Sequence, residues 1–162
     1  MFVRQLVRYL EYKNTNGTPK LHYINDALKY YYGKHDKNEL TRNKILLSQF
    51  KTNKDYSRIS LHNDKDFELA MILWRRNAQT EIHRHNSNCS FMVMEGELFE
   101  TRYIKKDRLI LNGTKHYIES ELGNVIEDDY HNIFNISLDR SLSIHVYDNN
   151  DVFETNLETL TL

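Results

Sequence analysis

Two histidines two residues apart, His83 and His85, are followed four residues on by the only cysteine, Cys89. Seven residues beyond it stands Gly96, one of only five glycines. A neutral imidazole carries a ring lone pair at physiological pH and is a ready metal ligand. In a strand, alternate side chains share a face, so His83 and His85 are expected to point the same way and could hold one ion. A His-X-His pair is only half a site. The plain alternative is an ordinary strand and turn with two exposed or hydrogen-bonded histidines. What decides is whether the rest of the chain supplies a third ligand and a frame to bring it close.

The frame is that of an ordinary globular protein. A chain of 162 residues, 40% hydrophobic and 28% charged, fits one domain spanning residues 1–162 with a real core. Its formal net charge of -1 and its scattered basic residues give no field that would recruit nucleic acid or an anionic membrane. No apolar run approaches the ~20 residues of a membrane span. The N-terminal MFVRQLVRYLEYK lacks the uninterrupted apolar stretch of a signal peptide. A single cysteine rules out an intrachain disulfide, so a cytoplasmic setting is expected. The charge and apolar patterns fit a monomer.

Residues 1–55 read as helical. Val3, Leu6, Val7 and Leu10 recur at helical spacing, and a turn signal at Gly17–Pro19 follows. A second helix is expected after Asn25 with Gly33 near its end, and a third from about Glu39 to Phe50 anchored by Leu40, Ile45, Leu46 and Phe50. From residue 56 the period changes. Short β-prone runs at 67–74, 90–94, 97–104, 108–112, 116–122, 133–137 and 141–147 are separated by polar turns. Those turns are expected at Asn63-Asp64, Glu95-Gly96, Asn112-Gly113, Leu122-Gly123 and Leu138-Asp139-Arg140. The pattern predicts an all-β-dominated fold, a small antiparallel barrel or jelly roll over 56–162 under an N-terminal helical cap.

The spacing around the histidines resembles the first motif of the cupins: His-X-His, three or four residues, Glu, six residues, Gly. Here Cys89 stands in the glutamate slot and Gly96 follows at the right distance. The second cupin motif ends in His, three residues, Asn, and His131 with Asn135 matches it, without the usual upstream proline and glycine. The resemblance therefore makes His131 the third ligand, with His116 a weaker rival. Three neutral imidazoles and no carboxylate suit iron, nickel, copper or zinc. A ferrous ion there would keep its full charge and an open face, which favours an anionic donor such as a thiolate with dioxygen beside it.

Five further elements make the chain similar to cysteine dioxygenase, of the thiol dioxygenase family, over nearly its whole length. Trp74 precedes His83 by nine residues, as the family's tryptophan precedes its first histidine. Tyr56-Ser57-Arg58 resembles the family's Tyr-Thr-Arg. CSFMVMEGELFETRY resembles the hairpin from the family's cysteine to its Lys-Glu-Thr. HNIFNIS resembles the stretch carrying the third iron ligand, and SLSIHVY the Ser-Leu-His-Leu-Tyr strand. The chain departs from the family at Asp148-Asn149-Asn150, where Ser-Pro-Pro is usual, and at Arg75 and Arg76, where small or acidic residues are usual.

The resemblance implies an Fe(II) enzyme that converts L-cysteine and O2 to cysteine sulfinic acid. It makes His83, His85 and His131 the iron ligands. It implies that Arg58 clamps the substrate carboxylate, with Tyr56 adding a hydrogen bond. Ser143, His145 and Tyr147 alternate along one strand, and the family makes His145 the orienter of the Tyr147 hydroxyl. Cys89 and Tyr147 match the pair that forms the family's thioether cross-link. A surface Arg58, an inert buried Cys89 and a merely structural Ser143–His145 pair are the plain alternatives. Two other functions stand beside this one: a dioxygenase for 3-mercaptopropionate or another small thiol, and a cupin that binds a small ligand through a metal without catalysis.

Overall fold

The computed structural model describes residues 2–14, 20–126 and 129–148. The expected turn at Gly17–Pro19 lies outside the described residues, as do Asn149 and Asn150. Helix α1 (Phe2–Lys13) buries Phe2, Leu6 and Leu10, one seam at four-residue spacing. Helix α2 (Leu21–Lys34) begins before Asn25, because Ile24 already belongs to its buried seam with Ala27 and Leu28. The expected third helix is two short ones, α3 (Asn38–Thr41) and α4 (Lys44–Leu47). Asn43 divides them: its side chain accepts the Leu46 amide at 3.0 Å and starts a new helix. Leu40 and Phe50 anchor this region, whereas Ile45 is 79% exposed and anchors nothing.

Among the described residues eight strands follow: β1 (Tyr56–Asn63), β2 (Glu68–Trp74), β3 (Cys89–Glu95), β4 (Leu98–Lys105), β5 (Leu109–Tyr117), β6 (Leu122–Val125), β7 (Tyr130–Asn135) and β8 (Ser141–Tyr147). They form an antiparallel five-stranded sheet, β1-β2-β8-β3-β6, and a three-stranded one, β5-β4-β7. The helices cover the outer face of the larger sheet, where Leu69, Met71, Met92, Leu142, Ile144 and Val146 meet Leu6, Leu10, Ile24 and Leu28. The inner face meets the smaller sheet through Ala70, Trp74, Cys89, Phe91, Leu98, Tyr117, Ile133 and Tyr147. The result is the expected small antiparallel barrel with a helical N-terminus. Burial on both faces leaves every residue of β8 inside, polar ones included.

Two expected turns are strand instead. Across β4 and β5, Arg102 pairs with Gly113 and Tyr103 with Leu111, so Asn112 is an extra residue in a β-bulge and the strand runs through it. Leu122-Gly123 opens β6, where Gly123 pairs with Phe91. A Cβ there would sit 2.2 Å from the Phe91 ring, so this glycine permits a close packing rather than a turn. Gly96 is a true turn glycine. Its φ is +80°, and a Cβ would approach the Ser141 and Ser137 hydroxyls at 2.3 and 2.8 Å.

Candidate metal centre

The first two histidines are not in a strand. Residues 81–88 form an irregular connection between β2 and β3, and only His83 makes a β-bridge, to His131 of β7. The bridge is two backbone bonds: His83 N–H to the His131 carbonyl at 2.9 Å, and His131 N–H to the His83 carbonyl at 2.8 Å. This pairing, not strand alternation, brings His83 beside His131. A ligand nitrogen from each of His83, His85 and His131 lies within 4.8 Å of the others. His116 does not join them; it is half exposed on the smaller sheet and bonds Glu97 at 2.7 Å.

The hydrogen bonds behind the rings set which nitrogen faces the centre. His83 Nδ1–H donates to the Glu81 carbonyl at 2.9 Å, and His131 Nδ1–H donates to the Glu100 carboxylate at 2.8 Å. In both rings Nε2 is therefore the lone-pair nitrogen. His85 Nε2 lies 3.1 Å from His131 Nε2. Two lone pairs at that separation repel unless a proton or a cation stands between them. Burial, followed by the neighbouring His131, depresses His83 to about 4. Burial likewise holds His85 well below the ordinary histidine range. His83 and His85 are thus neutral donors at physiological pH, the form a metal requires. The donor set fits a divalent transition metal, with no carboxylate among the three ligands.

Glu100 was not singled out from the sequence. It sits on β4, fully buried, one diagonal step from His131 across the β4–β7 ladder. It also accepts the Tyr117 hydroxyl at 2.7 Å, and Arg102 Nε and one Nη at 3.0 and 2.9 Å. An acid at the same inward parity as Leu98, on the strand next to His131, was the signal available.

On the other side stand the residues of β8 and their partners. Cys89 pairs with Tyr147 across β3 and β8. Beyond that pair Asp148 locks the register: its carboxylate accepts the Asn88 backbone and side-chain N–H at 2.9 and 2.7 Å. Trp74 Nε1–H donates to Ser143 Oγ at 2.8 Å. That leaves the Ser143 proton for His145 Nε2, 2.7 Å away. His145 therefore carries its proton on Nδ1, which points at Cys89 Sγ, 3.7 Å away. The His145 ring stacks on Tyr147, 13° from parallel, and its imidazole meets the cysteine sulfur rather than the tyrosine hydroxyl. Burial depresses His145 to about 3, with the Arg58 charge adding to it. Burial pushes both the Cys89 thiol and the Tyr147 phenol upward, so both keep their protons.

Arg58 lies over the Tyr147 ring, its guanidinium carbon 4.9 Å from the centroid. One of its Nη atoms donates to Glu68, a carboxylate of β2 that the sequence reading passed over. Tyr56 does not join this group. It stacks on Trp74 at 5.4 Å and is 38% exposed. Asn135, the end of the second motif, is a buried tie. Its amide donates to the carbonyls of Trp74, Arg75 and Asp139, and its oxygen accepts Ser137 N–H and Ser141 Oγ–H.

A family model described as cysteine dioxygenase type I matches residues 14–150. No curated protein matches significantly. Among solved structures, the cupin domain of Schizosaccharomyces pombe Cnp3 is 14% identical at a TM-score of 0.53, covering 64% of this chain and 71% of that one. An oxalate oxidase is 16% identical at 0.54, covering 63% of this chain; the match spans 55% of the oxidase. Peruvianin-I, a cysteine peptidase from Thevetia peruviana latex, is 12% identical at 0.59, with 80% and 82% covered. At such identities the likeness is one of fold, and proteins of such different kinds sharing it show why function must be read from the site.

Proposed function

Because the chain belongs to the cysteine dioxygenase type I family, we propose that it is an Fe(II)-dependent thiol dioxygenase converting L-cysteine and O2 to cysteine sulfinic acid. The observation that carries this reading is the trio of imidazoles, with no carboxylate among the three ligands, flanked by Arg58 and by the Cys89–Tyr147 pair. Bound by His83, His85 and His131, ferrous iron would supply the redox chemistry that adds both atoms of O2 to sulfur and would favour the thiolate form of the substrate.

The chain's own residues do the rest. Glu81 and Glu100 hold the His83 and His131 rings in the tautomer that presents Nε2. Arg58, held by Glu68, would donate N–H bonds to the substrate carboxylate. Tyr147 keeps its proton and can donate it in a hydrogen bond beside the sulfur. His145, held neutral by burial, donates from Nδ1 to the Cys89 sulfur. Cys89 and Tyr147 are placed to form a thioether. In that step Sγ bonds to a ring carbon of Tyr147, and two hydrogens pass to an O2-derived oxidant. Tyr56 would contribute through its stacking on Trp74, at the rim.

Oxygen consumption by the iron-loaded protein with L-cysteine, coupled to mass detection of the sulfinate, tests the proposal. Uptake with one O2 per sulfinate is expected. Faster turnover of 3-mercaptopropionate would move the substrate to that thiol. No uptake with any thiol at full iron occupancy would leave a metal-binding protein without this activity.

A further inference from the structure

A guanidinium that is to grip a substrate carboxylate is usually left with water to displace. Here Arg58 already holds a carboxylate of the chain itself. Glu68 is fully buried, while the Arg58 side chain keeps 27% of its exposure, so the acid is the more deeply placed partner. Glu68 pairs with Tyr147 across β2 and β8, and Tyr147 pairs with Cys89 across β8 and β3. Glu68, Tyr147 and Cys89 therefore form one row on the inner face, with Arg58 over the middle member. One Glu68 oxygen accepts from Arg58; the other, Oε1, is buried and has no hydrogen-bond partner among the described residues.

This arrangement has consequences for any thiol that enters. Arg58 is already paired with the Glu68 carboxylate, so a substrate carboxylate brings a second negative charge to a shared guanidinium in a poorly solvated place. A thiol without a carboxylate meets no such conflict. The unpartnered Oε1 is an acceptor, and a buried acceptor is satisfied by an N–H donor.

Resting on the thiol dioxygenase reading above, we infer that Glu68 is a specificity-determining residue, one that competes with the substrate carboxylate for Arg58 and tilts the pocket toward small aminothiols. Two probes separate the terms. L-cysteine and 2-aminoethanethiol share thiol and amine and differ only in the carboxylate. Their affinities are measured by calorimetry under anaerobic conditions on the iron-loaded protein, wild type and Glu68→Gln, with Glu68→Asn as the second variant should the first not fold. An uncontested bidentate clamp would favour L-cysteine by roughly tenfold or more. The wild type is expected to show less than that, and loss of the Glu68 charge to shift the ratio toward L-cysteine by about tenfold. A wild-type preference for L-cysteine of tenfold or more overturns the inference, and that arm needs no variant. So does a ratio that Glu68→Gln leaves unmoved or shifts the other way, since Glu68 would then merely hold Arg58 in place. If neither thiol binds the wild type, the dioxygenase reading itself falls and takes this inference with it.

Discussion

The three histidines are flanked by two buried networks built on opposite electrostatic plans. On the β4–β7 side, His131 leans on Glu100, which also takes Tyr117 and Arg102. Burial works against the Glu100 charge, but the bonds from His131 and Tyr117 and the Arg102 charge outweigh it and lower its pKa. On the β8–β3 side, Trp74, Ser143, His145 and Cys89 form a chain of neutral groups. A fixed anion behind a ligand sharpens the ring's orientation and raises its basicity, which suits the job of holding a cation. A neutral chain orients donors without adding a charge that would compete with substrate for the metal or for Arg58. The difference divides the labour between binding on one side and positioning of hydrogens on the other.

The most forceful way to break this division is to remove the shared ligand. His131→Ala is expected to lower metal affinity by more than the about 10–100-fold typical of a supporting residue. Metal content after dialysis against a weak chelator reads it directly, and retained stoichiometric metal would show that His131 is not a ligand. Next comes Glu100→Gln, which keeps the shape but loses the charge. Metal affinity is expected to fall about 10–100-fold. Stability should drop by roughly 1–3 kcal/mol, towards the lower end because Arg102 is 31% exposed and can turn to water. Competitive metal titration and urea melts measure the two effects. An affinity within twofold of wild type would erase the contrast between the networks.

Much of this centre could be read in the sequence, and the gaps have physical causes. The change from helical to β pattern at residue 56 and Gly96 at a turn came through because local spacing encodes them, while His131 was expected only from the motif resemblance and lies within 4.8 Å of the other two histidines. The partnership of His83 and His85 was anticipated, though for a different reason. A strand would align them by parity, whereas here neither lies in a strand and an isolated bridge sets His83 beside His131, some fifty residues later. Asn112-Gly113 misled because a bulge and a turn use the same residues. In β8 both faces are buried: Leu142, Ile144 and Val146 face the helices, while Ser143, His145 and Tyr147 face the centre. Parity grouped the three polar residues, but it could not reveal that the polar face looks inward. Glu68 and Glu100 were passed over because an acid on a strand usually faces water. Only the tertiary pairing puts a guanidinium or an imidazole against each.

Ser143→Ala probes the neutral network. It takes the acceptor from the buried Trp74 indole and the donor from His145 Nε2. The expected cost is about 1–3 kcal/mol of stability, with turnover lowered and metal affinity within about twofold of wild type. Equilibrium melts, metal titration and oxygen uptake on one preparation separate these. A fall in metal affinity as large as that of Glu100→Gln would merge the two networks into one.

The remaining test lies in the pH dependence of the metal-free protein. Burial holds His145 at about 3 in the folded state, against an ordinary value of 6.5. Between those values the unfolded chain carries a proton on this residue that the folded chain does not. Stability from this group is therefore complete above about pH 6.5 and declines as pH falls towards about 3, by about 1.4 kcal/mol per pH unit within that window. Below it the folded state also takes the proton and the decline stops. His83, held at about 4, contributes in the same direction from the metal-binding side. Replacing His145 with glutamine, which can still accept from Ser143, should flatten the plot of unfolding free energy against pH between 6 and 4.5 by close to one proton. The difference in slope is unaffected by any constant loss of packing. Parallel plots for wild type and His145→Gln would mean that His145 takes up its proton in the folded protein as readily as in the unfolded chain. The Cys89–His145–Ser143 side would then be a charged network like its counterpart.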